Sequence, residues 1–399
     1  MKKIDLSSFK VADSGTAREI NRRIILNLIR TYQPISRAEL ARRSGLQRST
    51  VSSIVDELIQ EKWVIEGALG DVPRGRKPTM LYLNGERAGV IGINIQPTRT
   101  NIVVSTLDLH FILAESIPTG KEPQQFLDFL ANRVVEIVRA HSEITYEGIG
   151  VSVPGRVDLN TKELVFAPNL GWMGVDIRTP LEKTTGLPVE IDNAANACAL
   201  AELWSNERKE QVKNILAVTV SEGIGVGMVL NAQLVKGARG LAGEFGHFTM
   251  DPNGPPCNCG NNGCWETLAS NTACLRFYAQ SKAQHLPSKP LSTITYDDII
   301  KLALQNDARA VEAVQKQAYY LGLGLSMLVV GFDPEVILIV GPITRVWSLV
   351  DPIVTKTIET RVRTGAKPKI IPTDPNTQPR LVGTVAMVLA KHFGAPQLF

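Results

Sequence analysis

Apolar residues recur at helical spacing from near the start of the chain. Between Thr16 and Tyr32, Ile20, Ile24, Ile25, Leu28 and Ile29 share one face with arginines opposite, which predicts a first helix that Pro34 stops. Ser36-Arg37-Ala38-Glu39 has the spacing of a capping box and opens a second, short helix to about Arg43. Gly45 supplies a turn, and a third helix from about Gln47 carries Val51, Ile54, Val55, Leu58 and Ile59 on one face. Trp63-Val64-Ile65-Glu66 and Thr79-Met80-Leu81-Tyr82-Leu83 then read as strands flanking Pro73-Arg74-Gly75-Arg76-Lys77-Pro78. Residues 1–83 are thus expected to form a winged helix-turn-helix.

After residue 84 the pattern becomes α/β. Gly89–Ile95, Asn101–Leu107 and Phe111–Ile117 read as three successive strands before an amphipathic helix around Gln124–Ala140. The same order returns about 125 residues later with Ile215–Val220, Gly225–Leu230 and Gln233–Val235. Ala308–Gly331 is largely helical, Val336–Val340 is a buried strand and Leu381–Phe393 is a closing helix. Two copies of a three-strand meander predict two related lobes around a ligand-binding cleft within residues 84–399. One lobe is expected over about 84–200 plus the closing helix, the other over 201–380.

Charge separates the two parts. Residues 1–80 hold 15 Lys and Arg against 9 Asp and Glu, and the remainder holds 28 against 30, so only the N-terminal part is suited to a polyanion. The second helix of a helix-turn-helix pair enters the major groove with its first residues nearest the bases. Gln47, Arg48, Ser49, Thr50 and Ser53 are therefore the candidate readers of double-stranded DNA, because Gln pairs bidentately with adenine and Arg with guanine. Arg74, Arg76 and Lys77, between prolines, suit the minor groove of A·T-rich tracts. Paired half-sites imply a homodimer or a larger even oligomer such as a homotetramer. The start MKKIDLSSFK lacks an apolar segment and a small-residue cleavage site, and no run spans a bilayer, so a cytoplasmic location without membrane contact is expected.

Three of the five cysteines fall within eight residues, as Cys257, Cys259 and Cys264, with Gly260 and Gly263 allowing tight turns. Zinc prefers four Cys or His ligands, and of the five histidines His247 lies ten residues upstream in Gly243-Glu244-Phe245-Gly246-His247. The expectation is a Cys3His Zn2+ site. It does not have the spacing of a nucleic-acid finger, and no basic residue lies between Met250 and Glu266.

With these elements the chain resembles the ROK family of bacterial sugar kinases and sugar-responsive repressors, in particular its xylose-repressor branch. The resemblance rests on GEFGH at 243–247 and CNCGNNGCWE at 257–266, with SVPGRVD at 152–158, APNLGW at 167–172 and DPEVILIVG at 333–341 in support. It implies actin-like (RNase H-like) lobes and a monosaccharide of xylose or glucose type held by Asn169, Asn193, Glu244, His247 and Glu266. It also implies a transcriptional repressor of sugar metabolism. The family's kinases use an Asn-Asp pair whose Asp takes the proton from the sugar hydroxyl, and here that Asp falls on Ala194. Asp192, two positions earlier, would share a strand face with Ala194. The kinase Asp-x-Gly-Gly-Thr turn reads Asn94-Ile95-Gln96-Pro97-Thr98, the Gly-Thr-Gly reads Ser221-Glu222-Gly223, and Pro342 replaces a glycine after Gly341. The expectation is a sugar sensor without catalytic residues. The alternatives are a kinase retaining ATP-dependent activity and a repressor controlled by a partner protein.

Overall fold

A computed structural model describes residues 14–69, 78–204, 212–281, 290–363, 365 and 367–393. Arg74, Arg76 and Lys77 lie outside them. The N-terminal part contains α1 (Ser14–Tyr32), β1 (Ile35–Ser36), α2 (Arg37–Ser44), α3 (Arg48–Gln60), β2 (Val64–Leu69) and β3 (Thr79–Leu83). Ser36 accepts from the Glu39 N–H at 3.2 Å and so caps α2, but Glu39 spends its carboxylate on Arg42 and Arg43 rather than closing the reciprocal half of the capping box. Gly45 ends α2 with φ +73°, a left-handed conformation that glycine adopts without strain. The wing has a third strand that periodicity missed, because β1 is only two residues long and pairs with β3 through Ile35 and Leu81.

The body continues with β4 (Gly89–Ile95), β5 (Arg99–Thr106), β6 (Phe111–Pro118), α4 (Pro123–Ala140), β7 (Tyr146–Val153), β8 (Arg156–Val157), β9 (Leu164–Ala167), β10 (Trp172–Val175), α5 (Arg178–Thr185), β11 (Val189–Asn193) and α6 (Ala194–Trp204). A second series holds β12 (Ile215–Val220), β13 (Ile224–Leu230), β14 (Gln233–Leu234), α7 (Trp265–Ala269), α8 (Asn271–Gln280), α9 (Tyr296–Leu304), α10 (Ala308–Phe332), β15 (Val336–Val340), α11 (Trp347–Arg361), β16 (Lys369–Pro372) and α12 (Pro379–Phe393). Their sheets run β11-β7-β4-β5-β6 and β16-β15-β12-β13-β14. Each is an antiparallel meander extended by two parallel strands, so the repeated pattern of apolar segments corresponds to a repeated topology. β4, β12 and β15 are buried along their whole length, as their continuous apolar runs require. Among the described residues no helix is long and apolar enough to cross a membrane.

The winged part shares its core with the body. Ile25, Leu26 and Ile29 of α1, Leu58 of α3 and Trp63 belong to the same buried cluster as Val385, Val388, Leu389 and Phe393 of α12. At this junction Trp63 lies between Arg87, 4.0 Å from its ring, and His392, with ring centroids 4.5 Å apart. His392, Arg87 and Lys391 all bind Glu147, at 2.9, 2.5 and 3.2 Å. The His392 hydrogen bond, then those of Arg87 and Lys391, hold its carboxyl well below the usual carboxylate range against the opposing effect of burial. A depressed folded pKa contributes stability that is full above the unfolded value of about 4.3 and is lost as pH falls from there toward the folded value. Glu147→Gln should therefore cost about 1–3 kcal/mol at pH 7 in urea unfolding, and its difference from wild type should begin to narrow below about pH 4 and go on narrowing as the pH falls further.

Candidate functional site

The cleft between the lobes is floored by polar residues at the ends of parallel strands. Asn94 of β4, Ser152 of β7 and Asp192 of β11 are neighbours in register, all buried, and Ser152 donates to Asn94 Oδ1 at 2.9 Å. Asp192 does not share a strand face with Ala194: β11 ends at Asn193 and Ala194 begins α6. Its Oδ1 accepts from the Asn193 N–H at 2.7 Å and from Asn196 Nδ2 at 2.8 Å, and Oδ2 sits 2.6 Å from Lys236 Nζ. Both oxygens of Asp192 therefore already face groups of the protein itself.

The expected sugar ligands converge on this cleft. Asn169, Asn193, Ala194, Glu244, His247 and Glu266 all line it, from both lobes, within a volume of about 1140 Å³ that includes its open mouth. Asn169 is carried by the tight turn between β9 and β10, where the Leu170 and Gly171 N–H groups bond to Ala167 and Pro168 carbonyls at 3.0 and 3.1 Å. Asn193 is partly engaged already: its Nδ2 donates to the Gly155 carbonyl at 2.6 Å and its Oδ1 accepts from the Ala195 N–H at 2.7 Å. Glu244 and His247 lie on a 3-10 turn pressed onto β13, where a Cβ on Gly243 or Gly246 would come within 2.1 Å of the Val226 or Ile224 carbonyl. Gly223 serves the same purpose opposite: a Cβ there would lie 2.6 Å from Glu266 Oε2 and 3.6 Å from Asn169 Nδ2. Burial raises the Glu244 pKa, and His247 and Arg156 oppose that rise.

His247, Cys257, Cys259 and Cys264 offer four ligand atoms that all lie within 4.8 Å of one another. Cys259 and Cys264 sulfurs are 3.6 Å apart and Cys257 Sγ is 3.5 Å from His247 Nδ1. Tetrahedral Zn–S bonds of about 2.3 Å place sulfurs about 3.8 Å apart, so the donor set fits zinc in both chemistry and size. Gly260 and Gly263 make the turns, with φ +95° and +57°. His247 turns Nδ1 to Cys257 and Nε2 to Glu244, 3.7 Å away. Cys264 immediately precedes α7, which presents Glu266 one residue into the helix, while buried Trp265 donates to the Tyr320 carbonyl at 2.9 Å and rests on Gly324 of α10. The cysteine loop thereby joins the cleft carboxylate to the core of the second lobe.

On α3, Gln47, Arg48, Ser49 and Ser53 are exposed and Thr50 is half-buried, while Val51, Ile54, Val55 and Leu58 face the core. Gln47 is the N-cap residue but its side chain makes no capping bond. Arg37, Arg42 and Arg43 are tied to carboxylates, whereas among the described residues Arg48 has no ion-pair partner.

Sequence reasoning missed Lys236, Arg156 and Arg380, which also line the cleft. Their positions, after an edge strand, on a two-residue strand and at a helix start, carry no periodic signal.

Comparison with known proteins agrees with this anatomy. The model for winged helix-turn-helix DNA-binding domains matches residues 18–65. The xylose repressor of Bacillus subtilis (strain 168) is 35% identical over 332 residues, covering 82% of this chain and 84% of that protein. A crystal structure of a ROK family transcriptional regulator described as a homolog of E. coli MLC superposes with a TM-score of 0.81 at 26% identity, over 95% of this chain and 98% of that one. A ROK family glucokinase from Streptomyces griseus, solved with glucose and AMPPNP, gives a TM-score of 0.67 at 25% identity over 75% of this chain and 98% of its own. The ROK family model itself matches residues 90–391, which include both lobes, the cleft and the cysteine cluster, and the chain therefore belongs to the ROK family.

Proposed function

We propose that this chain is a transcriptional repressor of sugar metabolism genes that binds operator DNA as an even-numbered oligomer and releases it when a neutral monosaccharide, D-xylose, occupies the cleft. The observation that carries the reading is the convergence of Asn169, Glu244, His247 and Glu266 on one cleft in a chain that also presents the exposed polar face of α3. Carboxylates and amides bridging adjacent hydroxyls select a polyol, because analogues lacking those hydroxyls leave buried polar groups unpaired. His247, Cys257, Cys259 and Cys264 would hold zinc, which supplies a fixed orientation for the His247 ring beside the sugar carboxylates.

The reading excludes phosphoryl transfer on the positions that the resemblance to the family's kinases assigns. On that correspondence Ala194 takes the place of the base, Asn94 that of a magnesium-binding carboxylate and Glu222 that of a phosphate-binding backbone, while Asp192 is paired with Lys236. The test is calorimetric titration with D-xylose, D-glucose and their phosphates, followed by a coupled ADP-release assay. Saturable xylose binding without ADP release is expected in wild type and in Ala194→Asp, because restoring the base leaves the phosphate contacts absent. Steady turnover by wild type would make the protein a sugar kinase with a DNA-binding domain. Gly223→Ala should weaken xylose binding roughly tenfold by pushing Glu266 aside, which the same titration reads.

A further inference from the structure

Two helices connect the cleft with the DNA-binding domain, and each is fastened to a different lobe. α6 lies on the second sheet at Gly227, where a Cβ would come within 2.1 Å of the Ala195 carbonyl. α12 lies on the first sheet at Gly150, where a Cβ would come within 2.0 Å of the Thr384 carbonyl. They cross each other at Gly383, with 1.9 Å to the Ala197 carbonyl. Backbones this close cannot slide independently without opening a void, so each helix follows its own sheet.

Both helices begin at the cleft, which is lined by Ala194 and Asn196 of α6 and Arg380 of α12. Both end against α1. Trp204, the last residue of α6, and Phe393, the last of α12, meet edge to face with ring centroids 4.9 Å apart. The Arg30 guanidinium of α1 stands 4.4 Å from the Trp204 ring and 5.9 Å from that of Phe393, and donates to the Trp204 carbonyl at 2.8 Å. Asn27 donates to the Phe393 carbonyl at 2.6 Å. α1 is joined in turn to the reading helix by Arg18–Glu57 and Arg22–Glu61 ion pairs. A change of about five degrees in the α6–α12 crossing moves the far end of α6, about 16 Å long, by about 1 Å.

We propose that α6 and α12 transmit the separation of the lobes to the DNA-binding domain, and that the Arg30–Trp204–Phe393 cluster is the joint that positions α1 and, through it, α3. The ion pair of Asp192, on the first lobe, with Lys236, on the second, bridges the lobes across the cleft and is one of the contacts their separation depends on. The inference deepens the reading of the cleft as a sugar site and does not depend on which sugar fills it.

The test measures fluorescence anisotropy on a duplex that the wild-type protein selects from a random pool, with D-xylose as the probe. Trp204→Ala should bind xylose within about twofold of wild type, while the weakening of operator binding by saturating xylose falls from about tenfold to less than about twofold. Trp204→Phe should recover part of the response. Lys236→Ala should change operator affinity without sugar in the wild-type background and leave it unchanged in Trp204→Ala. If Trp204→Ala unfolds, Arg30→Leu and Trp204→Phe carry the comparison. Retention of the full xylose response by Trp204→Ala and Arg30→Leu would overturn the proposal. A wild-type protein indifferent to xylose would instead reject the choice of sugar. The Lys236/Trp204 double-mutant cycle then decides the relay alone, with coupling upholding it and additivity overturning it.

Discussion

A Cys264→Ser protein is expected to lose the zinc proposed for the cysteine cluster and, with it, more than about a hundredfold of the proposed affinity for xylose. Cys264 is fully buried, its sulfur lies 3.6 Å from Cys259 and contacts the His247 carbonyl at 3.4 Å, and it immediately precedes the helix that presents Glu266. Its loss therefore frees His247 and Glu266, two of the proposed sugar ligands, together, where substitution of either alone frees one. Structural zinc contributes folding free energy directly, so the melting temperature should fall as well. Elemental analysis and calorimetry on the same preparation check the expectation, and removal of metal from the wild type with a chelator should reproduce it. Full zinc occupancy together with unaltered xylose binding in Cys264→Ser would contradict the role given to the cluster.

Arg48→Ala should weaken operator binding by about 10- to 100-fold while leaving xylose binding unchanged. Arg48 opens α3, is exposed and has no ion-pair partner among the described residues, so its charge is available to a base edge or a phosphate. A bidentate contact with guanine is worth about 1–3 kcal/mol and its loss relaxes sequence preference at one position, whereas loss of a phosphate contact weakens all sequences alike and reduces the salt slope by about one. Binding isotherms on operator and scrambled duplexes at several salt concentrations separate these outcomes. Unchanged affinity at every salt concentration would move the interface away from α3. Point variants suit this test better than deletion of residues 1–83, because removing α1 and Trp63 would strip the apolar face of α12 that packs against them.

Most of the regular structure was legible because most of it is amphipathic or wholly buried. β4, β12 and β15 fall where their apolar runs place them, and α4 and α10 begin and end within a residue of expectation. β7 was not read, since Gly148 and Gly150 break its apolar run. Gly150 is there to let α12 approach, and that requirement belongs to tertiary packing. The same limit explains Asp192 and Ala194: the composition of 189–204 does not mark where strand becomes helix, so the two residues looked like neighbours on one face when a helix start separates them. The gathering of His247, Cys257, Cys259 and Cys264 was legible because a donor set able to hold a metal ion needs residue type and spacing together. Lys236 was not, because its partner Asp192 is 44 positions away and only the closure of the two lobes brings them to 2.6 Å.

The most direct measurement is the affinity of the wild-type protein for its selected duplex with and without saturating D-xylose, at one fixed salt concentration. A ligand can shift this equilibrium only by its differential affinity for the two states, so the ratio of affinities reports the coupling itself. A sugar-responsive repressor should bind the duplex at least about tenfold more weakly in the presence of xylose. Equal affinity under conditions where calorimetry shows the cleft to be filled would contradict it.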